Sequence, residues 1–188
     1  MPDTTGTTGT GTQNTPHPAG AVNAGRWALD PEHSSVRFSA KGFWGLAHVK
    51  GTFQEIRGEG EVPAGGGAAH GTLTLQAGSL DTAHAKRDKH LRSGDFFDAE
   101  AHPEVVFTAR SVTPGGPDIV EVAGELTIRG ISRPVTFTAL LTDAGAEAVT
   151  LSADVVMRRT DFGMNWNWMG SLKDPAHVAV TARFVHQG

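Results

Sequence analysis

The residues best equipped for chemistry crowd into one stretch, Arg87-Asp88-Lys89-His90-Leu91-Arg92-Ser93-Gly94-Asp95-Phe96-Phe97-Asp98. By residue type, His84, Asp88 and His90 could ligate a metal. Three ligands from one short segment, with no clear fourth, fall short of a closed site, and His33, His48 and His177 could join them only through the fold. No metal is expected. Ser93, His90 and Asp95 supply the letters of a nucleophile, a base and an orienting acid, but closeness in sequence does not establish reach. The chain has no Gly-x-Ser-x-Gly elbow, and Asp161-Phe162-Gly163 lacks every other kinase element. No residue is assigned as catalytic.

What remains is non-covalent. Arg87, Asp88, His90 and Arg92 could form a polar rim that orients a head group, a phosphate or a quinone carbonyl, through charge-assisted hydrogen bonds. Their structural reading is a latch of ion pairs and caps, and it carries the greater weight. The two roles can coexist.

A short helix over Ala83 to Arg92 would position these groups. It sets Arg87 four residues from Leu91 and His84 four residues from Asp88, an acid and a base on neighbouring turns. Gly94 can end it with a left-handed backbone. Phe96 and Phe97, enclosed by Asp95 and Asp98, must then find cover, as they would in a lid packed over a barrel mouth.

On both sides of this stretch the pattern has period two, the signature of strands with one buried face. Val36, Phe38 and Ala40 form one such row. Further strands are expected over Leu46 to Phe53, over Ile56 to Val62 and around Leu73 and Leu75. After Pro103 the rows are Val105, Phe107, Ala109; then Val120, Val122, Leu126, Ile128; then Val135, Phe137, Ala139, Leu141. Val149, Leu151, Ala153, Val155 and Met157 follow, and Val178, Val180, Ala182 and Phe184 close the chain. Pro114 to Pro117 and Gly130 to Pro134 read as turns.

About eight antiparallel strands with short connections favour an all-β closed barrel or a sandwich. Ala40, Ala109, Ala139, Ala153 and Ala182 on the apolar faces would underfill an eight-stranded barrel, which implies an elongated apolar cavity. They would serve equally where two sheets of a sandwich pinch together. Phe43, Trp44, Trp166 and Trp168 suit either an apolar entrance or core packing beneath the lid.

The totals bound the alternatives. The 188 residues are 38% hydrophobic and 19% charged, ordinary for one globular domain. Residues 1–25, built from Thr, Gly, Pro, Asn and Ala, read as a disordered tail, and residues 26–188 as the domain. The absence of cysteine removes disulfides, thiolate metal sites and cysteine nucleophiles. A net charge of -4 argues against nucleic acid and anionic membrane as partners. There is no apolar run long enough to span a membrane, and no secretory signal, which makes the cytoplasm the default compartment.

Asp30-Pro31-Glu32-His33-Ser34 opens a strand, and Asp81-Thr82 leads into the Arg87 to Asp98 string. Gly124-Glu125-Leu126-Thr127-Ile128-Arg129-Gly130 precedes Pro134-Val135, and Arg158-Arg159-Thr160-Asp161-Phe162-Gly163 comes later. In this order, from Trp27 to the C-terminus, the sequence resembles the YceI-like polyisoprenoid-binding family. It departs near Gly42, where many members have a histidine, and in the Met164 to Met169 run.

The resemblance implies an extended eight-stranded antiparallel lipocalin-like barrel with a short helical lid. Its lumen would hold a polyisoprenoid lipid, of prenyl-quinone or isoprenoid-phosphate type, without other cofactor. Lumen and mouth would be lined by Phe38, Phe43, Trp44, Leu46, Leu91, Phe96, Phe97, Phe107, Phe137, Met164, Trp166 and Trp168. The rim would comprise Arg87, Asp88, His90 and Arg92. Homodimer formation is left open. Two other readings stand beside this one: an enzyme acting on a small lipid or amide through His90 and Asp88, and a ligand-free stress or scaffold protein with a filled interior.

Overall fold

A computed structural model describes residues 22–42, 47–170 and 172–188, without the side chains of Ala47 and Trp168. Most of the expected tail, residues 1–21, and the expected mouth residues Phe43, Trp44 and Leu46 lie outside the described residues, as does the side chain of Trp168.

The chain runs β1 (Gly25–Leu29), β2 (Ser35–Gly42), β3 (Ala47–Phe53), β4 (Ile56–Val62), β5 (Ala69–Gln76) and β6 (Leu80–Asp81). Helix α1 (Ala85–Arg92) follows, then β7 (Glu104–Gly116), β8 (Ile119–Ile128), β9 (Ile131–Thr142), β10 (Ala148–Arg158) and β11 (Pro175–His186). All pairings are antiparallel. The order β1-β4-β5-β7-β8-β9-β10-β11 closes on itself because β1 also pairs with β11, with Trp27 opposite His186. This is a closed eight-stranded barrel, and closure removes the edges that would otherwise template aggregation. The sandwich alternative falls.

Three strands continue beyond the ring. β11 pairs with β1 near its end and with β2 nearer its start, where Val178 faces Phe38, so β1 and β2 are halves of one bent line. The bend is a single 3₁₀ turn at Pro31–His33. Asp30 caps it by accepting the Glu32 N–H at 3.2 Å, and Pro31 needs no N–H partner there. The β3/β4 and β5/β6 lines break likewise, and β2, β3 and β6 together lengthen the barrel at one end. At that end α1 departs directly from β6.

Two sequence expectations shift. Pro114 to Gly116 belong to β7, and the turn narrows to Pro117 and Asp118, with a register slip between Pro114 and Gly116 absorbing the proline. The link after β8 is a two-residue hairpin turn, Arg129 and Gly130, both with positive φ (53° and 70°). Pro134 sits inside β9 opposite Glu125. Its missing N–H is tolerated because β9 and β10 pair at only three positions among the described residues, Leu140 to Thr142 with Thr150 to Ser152.

The apolar interior is divided. Val36, Phe53, Leu75, Leu80, Phe96 and Phe162 are buried in one cluster near α1, and Trp27, Val120, Val122, Ala139, Leu141 and Val149 in another at the far end. Among the described residues no helix is long and apolar enough to cross a membrane.

Candidate functional site

Strand alternation builds the site. Every second residue of β10 faces inward, and this one row lines two chambers in sequence: Val149, Leu151 and Ala153 face the far chamber, Val155 and Met157 the chamber under α1. The far chamber measures about 290 Å³ and the near one about 510 Å³, together in the range of small-molecule sites. The alanines do underfill the barrel: Ala109, Ala139, Ala153 and Ala182 border the far chamber, Ala40 the near one.

The chambers share four wall residues, Leu73, Phe107, Phe137 and Val180, which form a waist. The Phe107 and Phe137 rings stand 5.6 Å apart there. Gly124 makes room for this: a Cβ on it would lie 2.9 Å from Phe107 Cζ. Gly51 does the same for Phe38, its cross-strand partner.

The lid is held by Thr82. Asp88, buried on the first turn of α1, accepts the Thr82 hydroxyl and, at 3.0 Å, the Thr82 N–H. Arg87 donates from Nε to Thr82 Oγ1 (2.8 Å) and from Nη2 to the Thr82 carbonyl (2.7 Å). Arg92 donates to the Leu80 carbonyl at 2.6 Å. The hydroxyl of Thr82, its N–H and the charges of Arg92 and Arg87 hold the Asp88 carboxyl below its ordinary value, against desolvation. The expected His84/Asp88 pair does not form, because His84 Nδ1 instead caps α1 by accepting the Arg87 N–H at 3.3 Å. Nor does Gly94 end the helix. Ser93 does, with extended backbone and its N–H on the His90 carbonyl.

His90 Nε2 lies 2.8 Å from Asp95 Oδ2, and its ring stands edge-on to Trp166 (4.6 Å) and Phe96 (5.1 Å). Ser93 Oγ donates to the His90 carbonyl at 2.7 Å, so it does not address the imidazole. Asp88, His84 and His90 are drawn into three separate sets of bonds.

Phe38, Leu91, Phe96, Phe97, Phe107, Phe137, Met164 and Trp166 are all in the near-chamber wall, with Arg87 and His90. Asp88 and Arg92 are not; they fasten the lid from behind. Sequence reasoning missed Lys86 and Arg159, both in that wall. Arg159 is only 6% exposed. Its Nη1 donates to the Met164 and Trp166 carbonyls (2.9 Å to the latter), stitching the loop before β11. Desolvation pulls its pKa down while Asp174 pushes it up, and a guanidinium stays charged regardless. The missed signal was the alternation itself: continued past Met157, the inward row of β10 lands on Arg159.

A closed barrel around an apolar two-chamber lumen, latched at one end under a short helix, defines an extended lipocalin-like scaffold. The chain belongs to the YceI-like domain family, whose model matches residues 27–184. Protein YceI of Escherichia coli is 36% identical over 130 residues, covering 68% of this chain and 67% of that one. A UPF0312 protein of Vibrio cholerae is 34% identical over 130 residues, 68% of each chain. Among solved structures, Burkholderia cenocepacia BcnA superposes with a TM-score of 0.74 at 20% identity, over 82% of this chain and 98% of that one. A polyisoprenoid binding domain from Saccharophagus degradans gives 0.70 at 13% identity, over 86% and 98%. These two likenesses speak for the fold.

Proposed function

We propose that the chain is a lipid-binding protein that encloses one long apolar molecule of isoprenoid type, a prenyl quinone or an isoprenoid phosphate, for carriage or sequestration. The observation that carries this is the uninterrupted inward row of β10 from Val149 to Met157, which borders both chambers. A ligand threaded past it would gain about 0.8 kcal/mol per CH₂ removed from water, before the cost of ordering its torsions. The Saccharophagus degradans domain of the same fold, described as polyisoprenoid binding, supports the ligand class.

In this reading the protein performs no reaction and needs no cofactor beyond the lipid. The lumen supplies affinity, and Phe38, Leu91, Phe96, Phe97, Met164 and Trp166 make the near chamber selective for apolar bulk. The test is organic extraction of the purified full chain followed by mass spectrometry, which should recover a prenyl lipid near one per chain. Repeated recovery of empty protein that also fails to take up added prenyl quinone would overturn the proposal.

A further inference from the structure

The formal charge of -4 is a sum over an uneven surface. At the lidded end, the outer face of β11, β2 and β3 carries a basic patch, and the pairing register places its members. His177 faces Ser39 on β2, Ser39 faces Lys50 on β3, and Lys41 faces His48 one step further out. These residues alternate with Phe38, Ala40, Val49 and Val178, which line the near chamber, so they point outward. Lys173 joins them, its N–H donating to the Lys41 carbonyl at 2.9 Å. Lys41, His48, Lys50, Lys173 and His177 are all exposed. Among the described residues, none of them has a carboxylate within ion-pair distance.

The acids lie at the margin of this patch or far from it. Asp81 and Asp154 flank the row of Arg37, one step toward the waist, and Asp174 is committed to Arg158 at 2.8 Å. Glu59, Glu61 and Glu121 are exposed on the outer faces of β4 and β8, beside the inward Gly60, Val120 and Val122 of the far chamber. Physiological salt screens charges beyond about 8 Å, so that end does not cancel the patch. Apolar groups border the lysines. Val156 faces His177 from β10 and is 60% exposed, and in the loop before β11 Trp166 and Met169 are 37% and 71% exposed. Trp166 and Leu172 of that loop line the near chamber, which joins the patch to the lumen.

We propose that this outer face docks on an anionic phospholipid bilayer, with Lys41, Lys50 and Lys173 among the head groups and Trp166 and Met169 entering the interface. Lysine suits the place because its apolar stem can lie along the interface while the ammonium stays with the phosphates, and tryptophan favours the same depth. A nucleic acid would match the lysines but leave Val156 and Met169 in water. Docking does not require a filled lumen. With one, it turns the lid toward the bilayer that would supply or receive an apolar cargo.

The experiment is co-sedimentation of the purified full chain with vesicles of phosphatidylcholine alone and with vesicles of phosphatidylcholine and phosphatidylglycerol in equal parts. The mixed vesicles should bind at least about tenfold tighter, and the preference should shrink as salt rises. Lys41→Gln, Lys50→Gln and Lys173→Gln, on exposed side chains, should each weaken that binding about fivefold. Arg110→Gln makes the same charge change on an exposed residue of β7, away from the patch, and should leave it unchanged. Met169→Gln should weaken it about threefold. Equal binding to both vesicles, binding to neither, or an equal loss from Arg110→Gln and the patch variants would overturn the docking face. Tighter binding to a DNA duplex than to the mixed vesicles would overturn it as well. Patch-dependent vesicle binding by a chain that takes up no prenyl lipid would uphold the face and remove the lipid reading.

Discussion

Asp88 and Thr82 share two hydrogen bonds, hydroxyl and N–H of the threonine both reaching Oδ1 of the aspartate. This contact ties α1 back to the chain leaving β6, and Arg87 adds two bonds to the same threonine. Thr82→Val removes the hydroxyl and leaves buried Asp88 one partner short, at a cost of about 1–3 kcal/mol. Amide exchange should speed up over Ala85 to Arg92 well before the β-strands respond, so uniform acceleration across the barrel would show that the lid is not a separately held unit.

Acid should open the same contact. Asp88 has its pKa lowered in the fold, so its contribution to stability is complete above the unfolded carboxylate value, about 3.9, and is lost as pH falls through the lower folded value. The wild type should therefore lose Tm below about pH 4 more steeply than Asp88→Asn, the two curves converging in strong acid. Parallel acid limbs for the two proteins would assign the loss to other carboxylates, such as Glu104 beside Arg57 and Gln76.

The waist should act on chain length. Phe137→Trp narrows the passage beside Phe107 and shuts a long tail out of the far chamber. Losing even two or three buried methylene groups is worth about 2 kcal/mol, or roughly thirtyfold in affinity. Solanesol should weaken by that order while farnesol, short enough for the near chamber, holds its affinity. Equal losses for both alcohols would mean that the waist is not a divider.

Trp166 should govern release. Its ring packs edge-on against His90 and tilted against Phe96 at 5.6 Å, and such pairs are worth about 0.5–1.5 kcal/mol each. Trp166→Ala should raise the rate of lipid transfer to acceptor vesicles roughly three- to tenfold while shifting Tm little. An unchanged rate would place the exit elsewhere.

Much of this was legible from period two alone. The rows from Val36, Val105, Val120, Val135, Val149 and Val178 are strands, and the bounds of β4, Ile56–Val62, match the expectation. Barrel and sandwich could not be told apart because both bury the same alternating rows; the pairing of Trp27 with His186, 159 positions away, decides it, and no local pattern encodes that.

At the site, Leu91, Phe96 and Phe97 were legible as cover for a cavity because an apolar group between charges must be buried somewhere. The partners of the lid charges were not. His84 and Asp88 have helical spacing, but a threonine preceding the helix offers Asp88 two donors, and local side-chain to backbone bonds outcompete an exposed ion pair. Residue type does not separate Arg158, which bonds Asp174 outside, from Arg159, which lines the lumen; only the alternation carried on from Met157 does.

The short seam between β9 and β10 has a mechanical consequence. Among the described residues no hydrogen-bonded pair joins these two strands below Leu140, and Pro134 has no N–H to offer. The cylinder is split along one side at its wider end. Val135 on one strand and Val155 and Met157 on the other line the near chamber beside this seam, with no backbone pair between them among the described residues. Under the proposed lipid-binding role, that seam is where the wall would yield to a long apolar chain.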